Sequence, residues 1–364
     1  MTRRLTVALL FGGRSSEHSV SCVTAAGVLH ALDPERYDVI PVGLTRDGAY
    51  VLMGAEVLDY TFDVDHMPEV PDNGTRVAWP VDALGHELTA TDAQGQVRSL
   101  GQVDVVFPIL HGPFGEDGTI QGMLELVDLP YVGSGVLASA VGMDKHFTKT
   151  VLKAEGIAVA PWVVLSARDW VTSPEKARAA LDELGLPVFV KPARAGSSVG
   201  VSKVASLADL DAAMTLALAE DDKVLIEAAV VGREIECAVL GGRAGADARA
   251  SSVAGEVVLT GRDFYDFDSK YLAAPGVELE CPADLTGELL AELQELSVRA
   301  FNAIDGAGLA RVDFFLGDDG FVLNEINTMP GFTPISMFPK CWQESGMSYP
   351  ALIDELIALA LDGR

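Results

Sequence analysis

Two apolar runs near the end of the chain, at residues 311–316 and 321–327, flank the sequence Gly-Asp-Asp-Gly at 317–320. Apolar runs on both sides of a short glycine-containing turn predict a β-hairpin. A three-residue loop that ends on a left-handed glycine pairs Gly317 with Phe321. One face of this hairpin is then apolar and can pack on a core, because it carries Val312, Phe314, Leu316, Val322 and Ile326.

The register of the hairpin decides which polar side chains meet. With a three-residue loop, Asp313 lies opposite Glu325 and Arg311 opposite Asn327, and all four share one face because side chains alternate along strands. Oxygen ligands of this kind suit Mg²⁺, and the arginine is free to meet negative charge. A structural pair of cross-strand salt bridges is the alternative. A loop of two or four residues would put the two carboxylates on opposite faces.

Composition limits the class of protein. The chain has 364 residues, which fits two or three domains, and 49% of them are hydrophobic. No apolar stretch reaches the length of a membrane span. The four cysteines are far apart and form no Cys-x-x-Cys, so the sequence predicts no zinc site or disulfide framework and favours the cytoplasm. The net charge of −27 argues against nucleic acid and anionic membranes as partners.

Strands alternate with helices in the first part of the chain. Strands at 6–11, 37–44 and 103–110 and a helix at 20–32 predict a doubly wound α/β domain, with insertions and short strands at 55–102. An α+β block follows, and the hairpin belongs to a third region. We therefore expect domains at 1–134, 135–228 and 229–364.

Two short motifs suggest other chemistries but lack the required context. The sequence Gly-Ser-Gly-Val-Leu-Ala at 133–138 fits a dinucleotide fingerprint, but no suitable strand precedes it and no acidic residue closes a second strand. The sequence Gly-Ser-Ser-Val-Gly at 196–200 fits a nucleophile elbow. However, a strand follows it rather than a helix, and the histidines come in the wrong order.

The same 196–200 loop has a better interpretation. It joins two strands just after Lys191, and consecutive backbone N–H groups of such a loop can bind phosphate oxygens while lysine adds a point charge. The loop could close over a nucleotide as a lid, and the alternative is a mobile surface hairpin. Glu227 and Glu234 lie near strand ends and could bind adenine or ribose, although surface glutamates are common.

Two glycine-rich loops follow apolar strands of the first domain. One carries Glu17 and the other His111, and ligands of α/β sheets bind beyond the carboxyl ends of strands. These loops therefore predict a small-molecule site. A polar, aromatic segment at 263–272 contains Lys270 and Tyr271; it predicts a long functional loop, or alternatively an interface anchor.

Taken together, these motifs resemble the D-alanine–D-alanine ligase family of the ATP-grasp superfamily. The resemblance covers nearly the whole chain, and seven motifs occur in the expected order: 12–17, 111–122, 143–145, 190–200, 270–271, 311–313 and 324–331. It implies an α/β and α+β fold in three domains, with an N-terminal doubly wound domain and ATP held between the second and third. Ser19 and Ala195 depart from the family pattern and put lid dynamics and affinity in question.

The resemblance also implies roles for residues of this chain. The residues that would bind the nucleotide are Lys145, Lys191, Ser198, Glu227 and Glu234. Two Mg²⁺ ions, with Mn²⁺ as a substitute, would be held by Asp313, Glu325 and Asn327. Arg311 would stabilise the transferring phosphoryl group, Gly331 would contribute to an oxyanion hole, and Glu17, Ser197 and Tyr271 would form a network around the first D-alanine. Lys270 and Ser336 would receive the carboxylate of the second D-alanine, and His111 would be a further substrate-binding residue.

The implied reaction joins two D-alanine molecules at the expense of ATP, through a D-alanyl phosphate, for peptidoglycan precursors. The alternative is a ligase for D-alanine and D-lactate or for another D-amino acid, although Tyr271 favours an amine nucleophile. The family also suggests a homodimer.

Overall fold

The computed structural model describes residues 3–63, 65–260 and 276–363. Its first sheet contains, in spatial order, Tyr50–Leu52, Tyr37–Leu44, Leu5–Gly12 and Val105–Ile109. All pairs are parallel except the one at the Tyr50–Leu52 edge. Alternate residues of Leu5–Gly12 belong to two different core clusters, so this strand is buried on both faces and its sequence is a continuous apolar run. The α/β arrangement predicted for this part of the chain is confirmed.

Two helices accompany this sheet, and a smaller sheet lies beside it. The helices are His18–Ala31 and Thr119–Leu126, and a short 3₁₀ helix spans Ala55–Asp59. The antiparallel strands of the smaller sheet are Arg76–Ala78, Glu87–Thr91 and Val97–Gln102, which agrees with the short strands expected at 55–102.

The central sheet is antiparallel. Its strands, in spatial order, are Ser202–Val204, Val188–Pro192, Lys223–Ala228 and Trp162–Ser166. Apolar residues of the helices Glu175–Leu184 and Leu210–Glu220 share one core cluster with this sheet. A short helix, Ala167–Thr172, follows the edge strand.

Two helices, Val136–Met143 and Lys145–Ala154, lead into the central sheet. Asp144 separates them because its backbone is extended and its carboxylate accepts hydrogen bonds from the N–H groups of His146 and Phe147, at 3.1 and 3.3 Å. Such a side-chain cap favours a helix start. It therefore places Lys145 at the first position of the second helix.

The third sheet contains the predicted hairpin. Its main path runs, in spatial order, through Val277–Glu280, Gly255–Leu259, Arg233–Leu240, Leu309–Gly317 and Gly320–Asn327, and Arg249–Ala250 pairs with Arg233–Leu240. The helix Gly287–Ala303 packs on its apolar face. This helix has no counterpart among the elements predicted from the sequence, although Thr286 is a recognisable cap whose hydroxyl accepts from the Leu289 N–H at 3.3 Å.

The last two helices connect the ends of the chain. Met337–Glu344 and Tyr349–Leu361 contribute Phe338, Leu352 and Ile353 to the same core cluster as the first strand. Strands Arg233–Leu240 and Leu309–Gly317 of the third sheet contribute to this cluster as well, so this packing joins the first sheet to the third. Within the described residues, no helix is both long and apolar enough to cross a membrane.

Candidate active site

The hairpin that carries the predicted metal ligands has a shorter loop than its sequence suggested. Strands Leu309–Gly317 and Gly320–Asn327 are joined by two residues, and Gly317 pairs with Gly320, whose φ is +103°. The prediction of a three-residue loop with Gly317 opposite Phe321 is therefore wrong. Taken alone, the two-residue loop would shift the pairing of the second strand with the first by one residue, and Asp313 and Glu325 would then lie on opposite faces.

A β-bulge cancels this shift. Phe314 pairs with Leu323 but Asp313 pairs with Glu325, so Asn324 is the extra residue of the second strand. Asp313 and Glu325 consequently lie opposite each other, as predicted.

The rest of the register follows from the same bulge. Arg311 pairs with Asn327, as expected. The apolar face changes, because Phe321 and Leu323 are buried where the longer loop would have put Val322.

Arg311 is the centre of a buried polar cluster on the hairpin. Its Nε and Nη2 donate to the two carboxylate oxygens of Asp313, each at 2.7 Å, and its Nε lies 3.2 Å from Oε2 of Glu236. The amide of Asn327 donates to Asp313 at 2.9 Å. Burial alone would lower the pKa of Arg311, but the carboxylates of Asp313 and Glu236 outweigh burial and raise it well above its usual value. The sequence predicted an arginine that is free to meet negative charge. In the structure, Arg311 is instead held by two carboxylates.

Glu236 was missed by the sequence reasoning. It lies on the neighbouring strand directly opposite Asp313 and is 2% exposed. Its spacing of two from Glu234 was the available signal, because alternate residues of a strand share a face.

A second charged cluster lies on the central sheet. The ammonium of Lys191 donates to Oε1 of Glu227 at 2.7 Å, and the ammonium of Lys149 lies 2.8 Å from Oε2. All three residues are buried. Lys149 was not predicted, although it lies four residues after Lys145 and therefore on the same face of the helix.

These clusters border two neighbouring cavities. The larger, about 420 Å³, is lined by Lys145, Lys191, Ser198, Glu227, Glu234 and Glu325, and lies between the central and third sheets. The smaller, about 130 Å³, is lined by Glu17, His111, Ser197, Arg311, Gly331 and Ser336. Lys145, Ala195 and Glu325 line both cavities. The structure thus brings the predicted nucleotide and amino-acid residues to the two sides of one junction.

The loop after Lys191 covers this junction. Its Ser197 hydroxyl donates to the carboxylate of Glu17, and the ammonium of Lys145 donates to the Ala195 carbonyl at 2.8 Å. Ser197 and Ser198 have φ values of +48° and +59°, a left-handed conformation that is uncommon for residues other than glycine. The predicted partnership of Glu17 and Ser197 is therefore present in the structure.

His111 and Glu116, which line the smaller cavity, both make polar contacts with the backbone of Met329. The His111 Nδ1 lies 3.1 Å from the Met329 carbonyl oxygen, and a carboxylate oxygen of Glu116 accepts from the Met329 N–H at 3.2 Å. Burial lowers the pKa of His111 and so favours the neutral ring, and a neutral ring whose Nδ1 donates to this carbonyl has its proton on Nδ1. Nε2 then carries a lone pair. It is buried and has no hydrogen-bond partner among the described residues.

Glu116 should make the stability of the protein depend on pH. Burial and the nearby carboxylate of Glu17 raise the pKa of Glu116 from 4.5 to about 8. Between these values the native state keeps a proton that the unfolded state has lost, so unfolding releases a proton and the free energy of unfolding falls as the pH rises. We expect Glu116→Gln to remove this contribution, which is on the order of 3 to 4 kcal/mol between pH 5 and 8.

Urea unfolding of both proteins across this pH range measures the effect. Glu35→Gln, which changes an exposed glutamate, is the control and should keep the slope of the parent protein. Parallel curves for the parent and Glu116→Gln would contradict the assignment.

The remaining predicted residues are partly accounted for. Ser336 precedes the helix Met337–Glu344, and its hydroxyl lies 2.7 Å from that of Thr333 and accepts from the Thr333 N–H at 3.2 Å. Gly331 borders the smaller cavity next to it. Lys270 and Tyr271 lie outside the described residues.

The chain is similar to known proteins over nearly its full length. Sequence-family models described as D-ala D-ala ligase N-terminus and C-terminus match residues 6–134 and 151–358. The D-alanine–D-alanine ligase of Arthrobacter sp. (strain FB24) is 54% identical over 361 residues, covering 98% of this chain and 94% of its own.

Solved structures are similar too. The D-alanine–D-alanine ligase of Coxiella burnetii has a TM-score of 0.82 at 35% identity, over 99% of this chain and 95% of its own. A D-Ala:D-Ser ligase from Enterococcus faecalis has a TM-score of 0.83 at 32% identity, over 98% and 100%.

A lysine-lined cleft between two antiparallel sheets, covered by a glycine-rich loop, defines an ATP-grasp ligase, and the solved relatives share this fold. The predicted fold class is confirmed. More specifically, the chain belongs to the D-alanine–D-alanine ligase family, as its motifs had indicated.

Proposed function

We propose that this protein joins two D-alanine molecules to D-alanyl-D-alanine with consumption of ATP, as a step in making peptidoglycan precursors. The observation that carries the proposal is the meeting of two cavities at Lys145 and Glu325, beside Arg311. A nucleotide in the larger cavity and an amino acid in the smaller one would have their reacting ends at this junction. The family relationship supplies the substrates.

The reaction needs ATP because a carboxylate has no good leaving group. Its oxygen is a poor leaving group, so the γ-phosphoryl group of ATP is transferred to it, which gives ADP and an acyl phosphate. The amine of the second D-alanine then attacks the carbonyl carbon, the C–N bond forms, phosphate leaves and the amine loses a proton. Phosphoryl transfer depends on positioning and charge neutralisation. Lys145 and Lys191 supply positive charge from the nucleotide side, and the guanidinium of Arg311, held in place by Asp313 and Glu236, lines the smaller cavity on the amino-acid side.

A metal site on the hairpin fits the donor atoms. No cluster of three His, Cys, Asp or Glu side chains suited to a metal is found among the described residues. A site there would combine the amide oxygen of Asn327 with the carboxylates of Asp313 and Glu325, an all-oxygen set that hard cations prefer. When bound, two Mg²⁺ ions, or Mn²⁺ in their place, would neutralise phosphate charge. The bonds from Arg311 and Asn327 fix the orientation of Asp313.

The smaller cavity suits a zwitterionic amino acid. Glu17 offers a carboxylate to an ammonium group, and the lone pair of His111 Nε2 offers a second acceptor. Ser336 and the Gly331 N–H are donors for a carboxylate or an oxyanion. Lys270 remains a predicted contact of the second substrate, and Tyr271 remains a predicted member of the network around the first.

Closing the lid should protect the acyl phosphate from water. A methyl group added at Gly196 would come within 2.6 Å of Oε2 of Glu17, so Gly196→Ala should push the loop away from that carboxylate. We expect the ratio of phosphate released to dipeptide formed to rise about 3- to 10-fold, measured by phosphate assay and mass spectrometry. Gly287→Ala, where nothing lies within 4 Å, is the control. An unchanged ratio in Gly196→Ala would show that closure does not need this contact.

Phosphate release from ATP with different acceptors tests the function. D-alanine alone should give phosphate and the D,D-dipeptide, whereas L-alanine alone should give neither. D-serine and D-lactate, each paired with D-alanine, distinguish the related ligases, and the similarity to a D-Ala:D-Ser ligase makes D-serine the more informative of the two. A mixed product that exceeds D-alanyl-D-alanine at equal concentrations would overturn the proposed specificity.

The finer expectations stay predictions. They are the domain boundaries at 1–134, 135–228 and 229–364, a cytoplasmic location, and a homodimer. Light scattering of the purified protein would test the last of these.

A further inference from the structure

Lys149 is a buried cation that the proposed mechanism does not use. It lies on the helix Lys145–Ala154, is 1% exposed, and has its ammonium 2.8 Å from Oε2 of Glu227. A lysine is rarely buried unless it is paired. Burial lowers its pKa, and the attraction of Glu227 opposes this effect.

The charges around Glu227 do not balance. Lys149 contacts one oxygen of the carboxylate and Lys191 contacts the other, at 2.8 and 2.7 Å, so two cations share one anion. Burial raises the pKa of Glu227, but the two lysines together lower it below its usual value. The surplus positive charge adjoins the larger cavity, which both Lys191 and Glu227 line.

The two lysines occupy different positions relative to that cavity. Lys191 lines it, whereas Lys149 lies behind Glu227 and does not. Nucleotide phosphates can therefore attract Lys191 away from the carboxylate, while Lys149 is shielded from them. If Lys149 were absent, the departure of Lys191 would leave Glu227 as a buried carboxylate without a cation. Such a charge is strongly disfavoured, and the carboxylate would take up a proton.

We propose that Lys149 is a positioning residue of the nucleotide site, which keeps Glu227 ionised and in place when Lys191 turns to the phosphates. Lys149 and Glu227 then form a neutral pair, and Lys191 can serve the phosphates without leaving an uncompensated charge behind. This inference rests on the proposed function only in taking the larger cavity as the nucleotide site. Among the residues that the structure describes, the charged groups that act on Lys149 are Glu227, Lys191 and Lys145.

Calorimetric binding of ADP with Mg²⁺ to the full chain tests the role without requiring ligation. Lys149→Gln keeps a hydrogen-bond donor for Glu227 but removes the charge. We expect its ADP affinity to fall at least 10-fold, with KM for ATP rising similarly and KM for D-alanine changing less than 2-fold. Lys149→Arg should recover most of the affinity. Lys153→Met, on the same helix but exposed, is the matched control and should bind ADP normally.

The pH profile separates this role from a merely structural one. If Lys149 keeps Glu227 ionised, the acid limb of ADP binding should move to higher pH in Lys149→Gln. In a Glu227→Gln background the same change should alter ADP affinity less than 2-fold. A lower melting temperature with unchanged ADP affinity, or an equal loss of affinity in both backgrounds, would overturn the proposal.

The circular-dichroism spectrum establishes whether each variant is folded. If Lys149→Gln does not fold, Lys149→Arg decides: ADP affinity within 2-fold of the parent supports a charge requirement, and a 10-fold loss contradicts it. Failure of the proposed function is distinguishable, since a parent protein that binds ADP but makes no dipeptide would refute the ligase activity and leave the role of Lys149 intact.

Discussion

Arg311→Lys should lower kcat about 10³-fold while the protein remains folded. Lysine keeps the positive charge that the buried carboxylates of Asp313 and Glu236 require, so the cluster stays compensated. It cannot reproduce the two parallel bonds of the guanidinium to Asp313, at 2.7 Å each, which orient both groups. Since charge develops on the phosphoryl group and later on the carbonyl oxygen, both ADP formation and dipeptide formation should be slow.

Rapid-quench measurement of ADP and dipeptide separates the two steps, and thermal unfolding reports on folding. Arg249→Lys is the matched control, because this arginine pairs with Glu355 on the surface, away from both cavities. Its kcat should stay within 2-fold of the parent. A loss of less than 10-fold in Arg311→Lys, with normal unfolding, would show that the guanidinium serves the structure and not the reaction.

Glu325→Gln is expected to have the second largest effect. The substitution keeps size and hydrogen bonding but removes a charge that faces both cavities and lies 3.9 Å from the Lys145 ammonium. If Glu325 is a metal ligand, the Mg²⁺ concentration needed for half-maximal activity should rise about 100-fold, and kcat should fall by a similar factor. Activity titrated with Mg²⁺, together with Mn²⁺ binding followed by electron paramagnetic resonance, measures both effects.

The same hairpin supplies the control. Asp318→Asn and Asp319→Asn remove equivalent charges from its exposed tip, and neither should alter the Mg²⁺ requirement. If all three variants shift the requirement equally, the effect comes from overall charge and the proposed site is wrong. An unchanged Mn²⁺ signal in Glu325→Gln would also show that the proposed metal site is wrong.

The hairpin illustrates how a sequence can predict a site for an incomplete reason. The composition of residues 311–327 indicated two strands and a polar face, and Asp313 does lie opposite Glu325. The predicted loop was one residue too long, and the bulge at Asn324 compensates. Both loops are compatible with the same turn residues, so local sequence could not distinguish them.

Most strands and helices of this protein were predictable from apolar periodicity, and the order of the motifs indicated the family. The pairing of its charges, in contrast, is visible only in the folded molecule. Arg311 is held by Asp313 and Glu236, Glu116 binds the backbone of Met329, and Lys149 shares Glu227 with Lys191. Apolar periodicity follows from local backbone geometry and can be read along the chain. Pairing and burial of charges depend on contacts between residues far apart in sequence, which form only when the sheets pack together.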